Sequence, residues 1–202
     1  MPLWLAKEPL VLASQSKVRR ALLEAAGIPV EARPAHLDER AIEQQVTSGH
    51  PRDVALTLAR EKARTVAAMS DRGIVVGCDQ TLALGERRFS KPADRKAARE
   101  QLMALRGKTH ELHSAVAVCR NGGVTFADAS MARLTMRSFS EAFINAYLDA
   151  AGANVTASVG AYQLERTGVH LFETIEGDHF TVLGLPLLPL LGHLRAEGLL
   201  LA

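Results

Sequence analysis

Apolar residues fall along this chain in two kinds of pattern, short continuous runs and stripes at helical spacing, which alternate through most of its length. Leu10 to Ala13 is a short apolar run that leads into Ser14-Gln15-Ser16, which predicts a buried strand entering a turn. Lys17 to Ala26 then reads as a helix, with Ser16 as N-cap and Gly27 as a left-handed terminator. Val30 to Ala35 predicts a second strand, and Pro51 opens a helical pattern reaching about Met69. Ile74 to Leu84 is nearly continuously apolar, broken by Gly77, Asp79, Gln80 and Thr81 and followed by a Gly85-Glu86 turn. Asp94 to Leu105 reads as a helix closed by Gly107. Thr109 to Arg120 and Val124 to Met136 predict strands joined by Asn121-Gly122-Gly123. A helix follows over Glu141 to Ala151, between Ser140 and Gly152.

Val169 to Ile175 and His179 to Leu183 predict a hairpin around Glu176-Gly177-Asp178, and Pro186 to Glu197 a last helix. His36 to Arg40 and Gly152 to Arg166 carry no periodicity and read as flexible. Interleaved strands and helices, with hairpins in the second half, predict an α/β fold whose twisted sheet is mixed rather than purely parallel.

Composition narrows the class. With 202 residues, 48% of them hydrophobic, the chain is long enough for one domain or two joined lobes with a substantial core. Cys78 and Cys119 both sit in apolar runs, which fits a reduced, cytoplasmic compartment. A net charge of +2 and an aromatic content of 4% argue against a nucleic-acid groove reader. The start of the chain is interrupted by Lys7 and Glu8, unlike a signal peptide, and no apolar run of about 18 residues predicts a membrane span.

Three places carry candidate chemistry. In the first, a strand turns through Ser14 and Ser16 into a helix bearing Lys17, Arg19 and Arg20 in its first turn. Cations are unfavourable to a helix start, whose free N–H groups attract anions, so three of them point to an anionic ligand. A solvent-facing start that happens to be basic has the same spacing. In the second, Val54, Ala55, Leu58, Lys62, Val66 and Met69 share one side of a helix, which places Lys62 inside an apolar stripe. Such a lysine must snorkel, pair with an acid or meet a phosphate. The third is Asp79, in the middle of an apolar run, where an unpaired carboxylate is costly and a metal ion or cation is wanted.

Three motifs are set aside. Gly107-Lys108-Thr109 ends like a phosphate-binding loop, but Leu102 stands where its first glycine belongs. His110 and His113, on one predicted strand, face opposite sides rather than one metal. Glu173, Glu176 and Asp178 are more simply turn chemistry than a metal cluster.

Taken in order, Leu12-Ala13-Ser14 through Leu23, Arg60-Glu61-Lys62-Ala63, Gly77-Cys78-Asp79-Gln80, Lys91-Pro92, Gly107-Lys108-Thr109-His110 and Glu173 to Pro186 resemble the Maf family of nucleoside triphosphate pyrophosphatases. The resemblance implies a single domain over residues 1–202, of inosine-triphosphatase-like fold, with a cleft between two lobes. It implies a nucleoside triphosphate substrate, a divalent cation (Mg²⁺ or Mn²⁺) and a homodimer. It places Ser14, Arg19, Lys62 and Lys91 around the phosphates, Asp79 at the centre of catalysis, and Glu39 with Asp79 on the metal. Val18, Gln80 and Glu165 fall near the base. Asp79-Gln80 with Glu165 resembles the subgroup acting on 7-methylguanosine triphosphate, although valine at position 18 cannot stack on a cationic base as that subgroup's tryptophan can. A non-catalytic nucleotide-binding regulator of cell division is the competing reading, and the acid at position 79 argues against it.

Overall fold

The computed structural model describes residues 2–69 and 73–202. Its elements, in chain order, are β1 (Leu10–Leu12), α1 (Lys17–Ala25), β2 (Val30–Ala32), α2 (Glu39–Gln45), α3 (Pro51–Ala67), β3 (Val75–Leu84), β4 (Arg87–Phe89), α4 (Arg95–Leu105), β5 (Thr109–Arg120), β6 (Gly123–Met136), α5 (Glu141–Ala151), β7 (Phe172–Glu176), α6 (His179–Val182) and α7 (Leu187–Ala196). One seven-stranded sheet runs in the order β2-β1-β3-β5-β6-β7, with β4 also paired to β3. The first three strands are parallel and the rest antiparallel, so the sheet is mixed, as the interleaving predicts.

Alternation along the long strands divides the core between the two faces. Val75, Ala115, Ala117 and Cys119 pack on one face against Ala55, Ala59, Ala63 and Val66 of α3. Val76, Cys78, Val116 and Val118 pack on the other against Leu23 of α1 and Leu187, Leu190 and Leu194 of α7. Further along that second face, Leu82, Leu112 and Leu134 meet Leu102 and Leu105 of α4 and Ile144 and Leu148 of α5. Between these two apolar clusters lie the polar positions Gln80 and Ser114, paired across β3 and β5. Each fully buried leucine here contributes roughly 1.5–3 kcal/mol, so the clusters hold the sheet on both sides of that polar line.

Where the pattern misled, the reason is local. His179 to Val182 is not the second arm of a hairpin but one helical turn, started by Asp178, whose side chain accepts from the Thr181 N–H. Aromatic and β-branched residues in a four-residue stretch carry strand propensity, and four residues are too few to display a period. Residues 36–40 contain the start of α2, capped by Asp38, and three 3₁₀ turns occupy 152–156, 159–161 and 167–171. The Val30 strand stops at Ala32, before Pro34. Met69 lies beyond α3 and is 70% exposed rather than part of its buried stripe.

Candidate active site

A gap in the sheet defines the site. β5 follows one edge of β3 from Val75 to Ala83. On the opposite edge β1 pairs only with Val75 and Val76, and β4 only with Leu82 to Leu84. Among the described residues, Gly77 to Thr81 therefore have no strand beside them on that edge. The Ala13 N–H bonds the Val76 carbonyl and the Val11 N–H the Ile74 carbonyl, so even-numbered residues of β3 aim their backbone groups at this edge. Cys78 and Gln80 consequently direct theirs into the gap.

Asp79 projects from the gap toward α3, and Lys62 meets it there. Lys62 Nζ donates to Asp79 Oδ1 at 2.6 Å and stands 2.8 Å from Glu39 Oε1. Both Lys62 and Asp79 are buried, at 8% and 7% exposure, whereas Glu39 enters from the first turn of α2 with a half-exposed side chain. Burial works to lower the Lys62 pKa, but the carboxylates of Asp79 and Glu39 outweigh it and hold the ammonium above its ordinary value. Lys62 in its apolar stripe is thus paired, not snorkelling. The backbone approach that permits this depends on Gly77, where an added Cβ would overlap the Ala59 carbonyl oxygen and lie 2.6 Å from the Ala63 nitrogen. Glycine lets α3 settle directly on β3.

Arg19 closes the other side. Its Nη1 donates to the Cys78 carbonyl at 2.9 Å and to Ser14 Oγ at 3.3 Å, and its Nε to the Gly184 carbonyl at 2.8 Å. Of the three cations at the start of α1, only Arg19 turns inward. Arg20 pairs with Glu24 on the surface and Lys17 is exposed, because neighbouring helical positions point in directions about 100° apart. Ser16 caps α1 through the Arg19 N–H, as its place in the sequence predicts. Cys78, between Arg19 and Asp79, is fully buried, and burial pushes its thiol up to about 11, so it is no nucleophile.

Gln80 faces away from Lys62, as strand alternation requires. Its amide Nε2 donates to Ser114 Oγ at 2.9 Å and to the carbonyls of Val182 and Thr181 at 3.1 and 3.2 Å. Ser114, Thr181 and Gly184 were not singled out from the sequence. Asp178-x-x-Thr181 followed by Gly184 is the signal that could have shown them, since it is a capped helical turn with a left-handed terminator.

The remaining candidates lie outside this contact network. Val18 is half-buried on α1, Lys91 is exposed in the loop after β4, and Glu165 is exposed in a turn before residues 167–171. Neither Lys91 nor Glu165 has an ion-pair partner among the described residues. His110 and His113 do face opposite sides of β5. His110 Nε2 lies 2.7 Å from the Tyr162 hydroxyl, and His113 Nε2 lies 3.0 Å from Glu111. Among the described residues no group of three or more histidine, cysteine, aspartate and glutamate side chains is placed to hold a metal.

Residues 9–197 match the family described as Maf-like protein. The chain belongs to the Maf family. A nucleoside triphosphate pyrophosphatase of Rhodopseudomonas palustris is 58% identical over 200 residues, covering 99% of each chain. A 7-methyl-GTP pyrophosphatase of Mesorhizobium japonicum is 50% identical over 193 residues, covering 95% of this chain and 97% of its own. A HAM1 protein from Coxiella burnetii overlaps 65% of this Maf chain and 74% of its own, at 14% identity and a TM-score of 0.41. No described helix of the chain is long and apolar enough to cross a membrane.

Proposed function

We propose that this Maf protein is a nucleoside triphosphate pyrophosphatase, hydrolysing a nucleoside 5′-triphosphate to the monophosphate and diphosphate. The observation that carries the proposal is the buried Lys62 ammonium held between Asp79 and Glu39 beside an open sheet edge that Arg19 and Ser14 also reach.

The donors suit a hard divalent cation. Asp79 and Glu39 are both oxygen ligands, each using one oxygen on Lys62, and two carboxylates leave room for waters and phosphate oxygens around Mg²⁺ or Mn²⁺. Such a cation would supply Lewis-acid polarisation and charge neutralisation at the phosphate. The chain's own groups do the rest. Lys62 offers its ammonium to phosphate oxygens in a setting where water is scarce and charge counts for more. Arg19 orients Ser14 by hydrogen bond and keeps Nη2 for the ligand. Lys91 reaches the phosphates from the opposite lip of the gap. Asp79 holds the attacking water and takes its proton at Oδ2. Val18 and Glu165 line the base. The line of Gln80 and Ser114 between two apolar clusters is the seam between two lobes, with the nucleotide in the cleft at that seam. The protein acts in the cytosol as a homodimer, for which light scattering should return twice the 21.8 kDa chain mass.

The test is a screen of natural and methylated nucleoside triphosphates with Mg²⁺ and Mn²⁺, reading diphosphate separately from orthophosphate. Diphosphate release that stops with chelator is the expected result. Saturable binding without hydrolysis under either metal, or undiminished turnover by Asp79→Asn, would overturn the proposal.

A further inference from the structure

We infer that Arg88 and Glu43 form an ion-pair latch that seats α2 along the open edge of β3 and so presents Glu39 at the gap. This rests on the pyrophosphatase reading of the site and adds to it two positioning residues that act through Glu39.

Burial does little to hold α2. None of residues 33–50, which join β2 to α3, is buried, and α2 itself has seven residues without one buried side chain. A helix of that length is marginal in water on its own. Asp38 accepts from the Ala41 N–H at 3.1 Å, which satisfies the first turn but ties it to nothing else. Charge supplies what burial does not. Glu39 and Glu43 stand four positions apart, so both leave α2 on one face, a turn from each other. Glu39 Oε1 is 2.8 Å from Lys62 Nζ, and Glu43 Oε2 is 3.4 Å from Arg88 Nη1.

Strand register explains why Arg88 is available. It lies opposite Ala83 across the β3–β4 ladder. Cross-strand partners share a face, and Ala83, Thr81 and Asp79 alternate onto the same face of β3. Arg88 therefore rises on the side of the sheet where Asp79 meets Lys62. Successive turns of α2 thus reach a cation of α3 and a cation of β4. Arg87 takes the other face, its guanidinium 4.6 Å over the ring of Phe89, which packs into the cluster with α4 and α5.

The two pairs part ways once a ligand enters. In the pyrophosphatase reading Lys62 turns to phosphate oxygens and Glu39 to the cation, so their mutual pair is given up. Glu43 and Arg88 have no such second task, and their pair keeps α2 seated while Glu39 changes partners. Both side chains are about one-third exposed, which makes the latch modest in strength and open to screening by salt.

The experiment reads trypsin cleavage after Arg40, in the first turn of α2, on full-length protein without metal or nucleotide. Arg88→Met and Glu43→Gln should each speed that cleavage by about two- to fivefold. The double variant should be no faster than either single one. Arg88→Lys should return nearly to the wild-type rate, and in about 1 M KCl all the rates should converge. Arg87→Met removes the same charge from the opposite face and should change nothing. In turnover, Arg88→Met should raise the Mg²⁺ concentration for half-maximal activity by about twofold and leave kcat at saturating Mg²⁺ unchanged, because the metal itself reseats Glu39. A merely structural Arg88 would act through packing, and its effect would persist in salt and be absent from Glu43→Gln. Either of those results overturns the latch, as do wild-type cleavage of Arg88→Met and additive losses in the double variant. Faster cleavage with an unmoved Mg²⁺ requirement overturns the positioning of Glu39. No turnover of any nucleotide by wild type fails the pyrophosphatase reading itself, and the cleavage rates then decide the latch alone.

Discussion

Arg19 bonds the Cys78 carbonyl in the stretch of β3 that has no strand on that edge, so a side chain does there what a neighbouring backbone would do. An exposed sheet edge leaves carbonyls to be satisfied by water or by another chain. Here the guanidinium takes one of them and remains in the gap as a fixed positive charge. The same side chain therefore finishes the sheet and charges the gap.

Lysine cannot replace that planar fork, which reaches Cys78, Ser14 and Gly184 together. Arg19→Lys should lose about 2 kcal/mol or more of stability, through carbonyls left without a charged donor. Urea unfolding measures this, and the loss of turnover should exceed what the unfolded fraction explains. Wild-type stability in Arg19→Lys would show that the contacts hold nothing in place.

The Lys62–Asp79 pair calls for a double-mutant cycle. Lys62→Met alone leaves a buried carboxylate beside Glu39 and should cost about 3–5 kcal/mol, while adding Asp79→Asn should restore more than half of that loss. Turnover should fall by about 10²- to 10⁴-fold in Asp79→Asn and not return in the double variant. Additive stability losses would mean that the two side chains do not depend on each other.

Gly77→Ala tests whether the closeness of α3 to β3 sets the site. The new methyl group has nowhere to go except into backbone, so α3 must lift and carry Lys62 with it. A loss of about 1–3 kcal/mol is expected, with a larger fractional loss of kcat than at the exposed Gly192, where nothing lies within 4 Å and the backbone is not left-handed. Equal effects at the two glycines would remove Gly77 from the account.

Acid should weaken the fold through His110. Burial lowers its pKa to about 4, and its Nδ1 has no partner among the described residues, so the folded protein keeps it neutral. Between pH 6.5 and about 4 the unfolded chain binds a proton that the folded chain refuses, and stability falls with pH across that window. The depression corresponds to about 3 kcal/mol at the low end. His113, lowered chiefly by its burial, adds to the same trend. Urea midpoints measured from pH 7.5 to 4 should show a shallower slope for His110→Gln, which keeps a polar contact for Tyr162 without a titrating ring. An unchanged slope would count against His110 as the cause.

The sequence by itself determined the elements long enough to repeat their period, from α1 and α3 to the β5–β6 hairpin, with the caps at Ser16 and Ser140. It also marked Lys62 and Asp79 as charges in the wrong surroundings, because burying either alone is costly whatever the fold. Only the tertiary structure decided how that cost is met. The sequence separation of 17 between Lys62 and Asp79, and the arrival of Glu39 on a helix with no legible period, set no distance until Gly77 brings α3 onto β3. Ser114 looked ordinary because what distinguishes it is the end of a helix 67 positions further along the chain. Periodicity reports the face on which a residue lies. Its partner is chosen by strand register and by where neighbouring strands stop, and these depend on packing across the whole sheet.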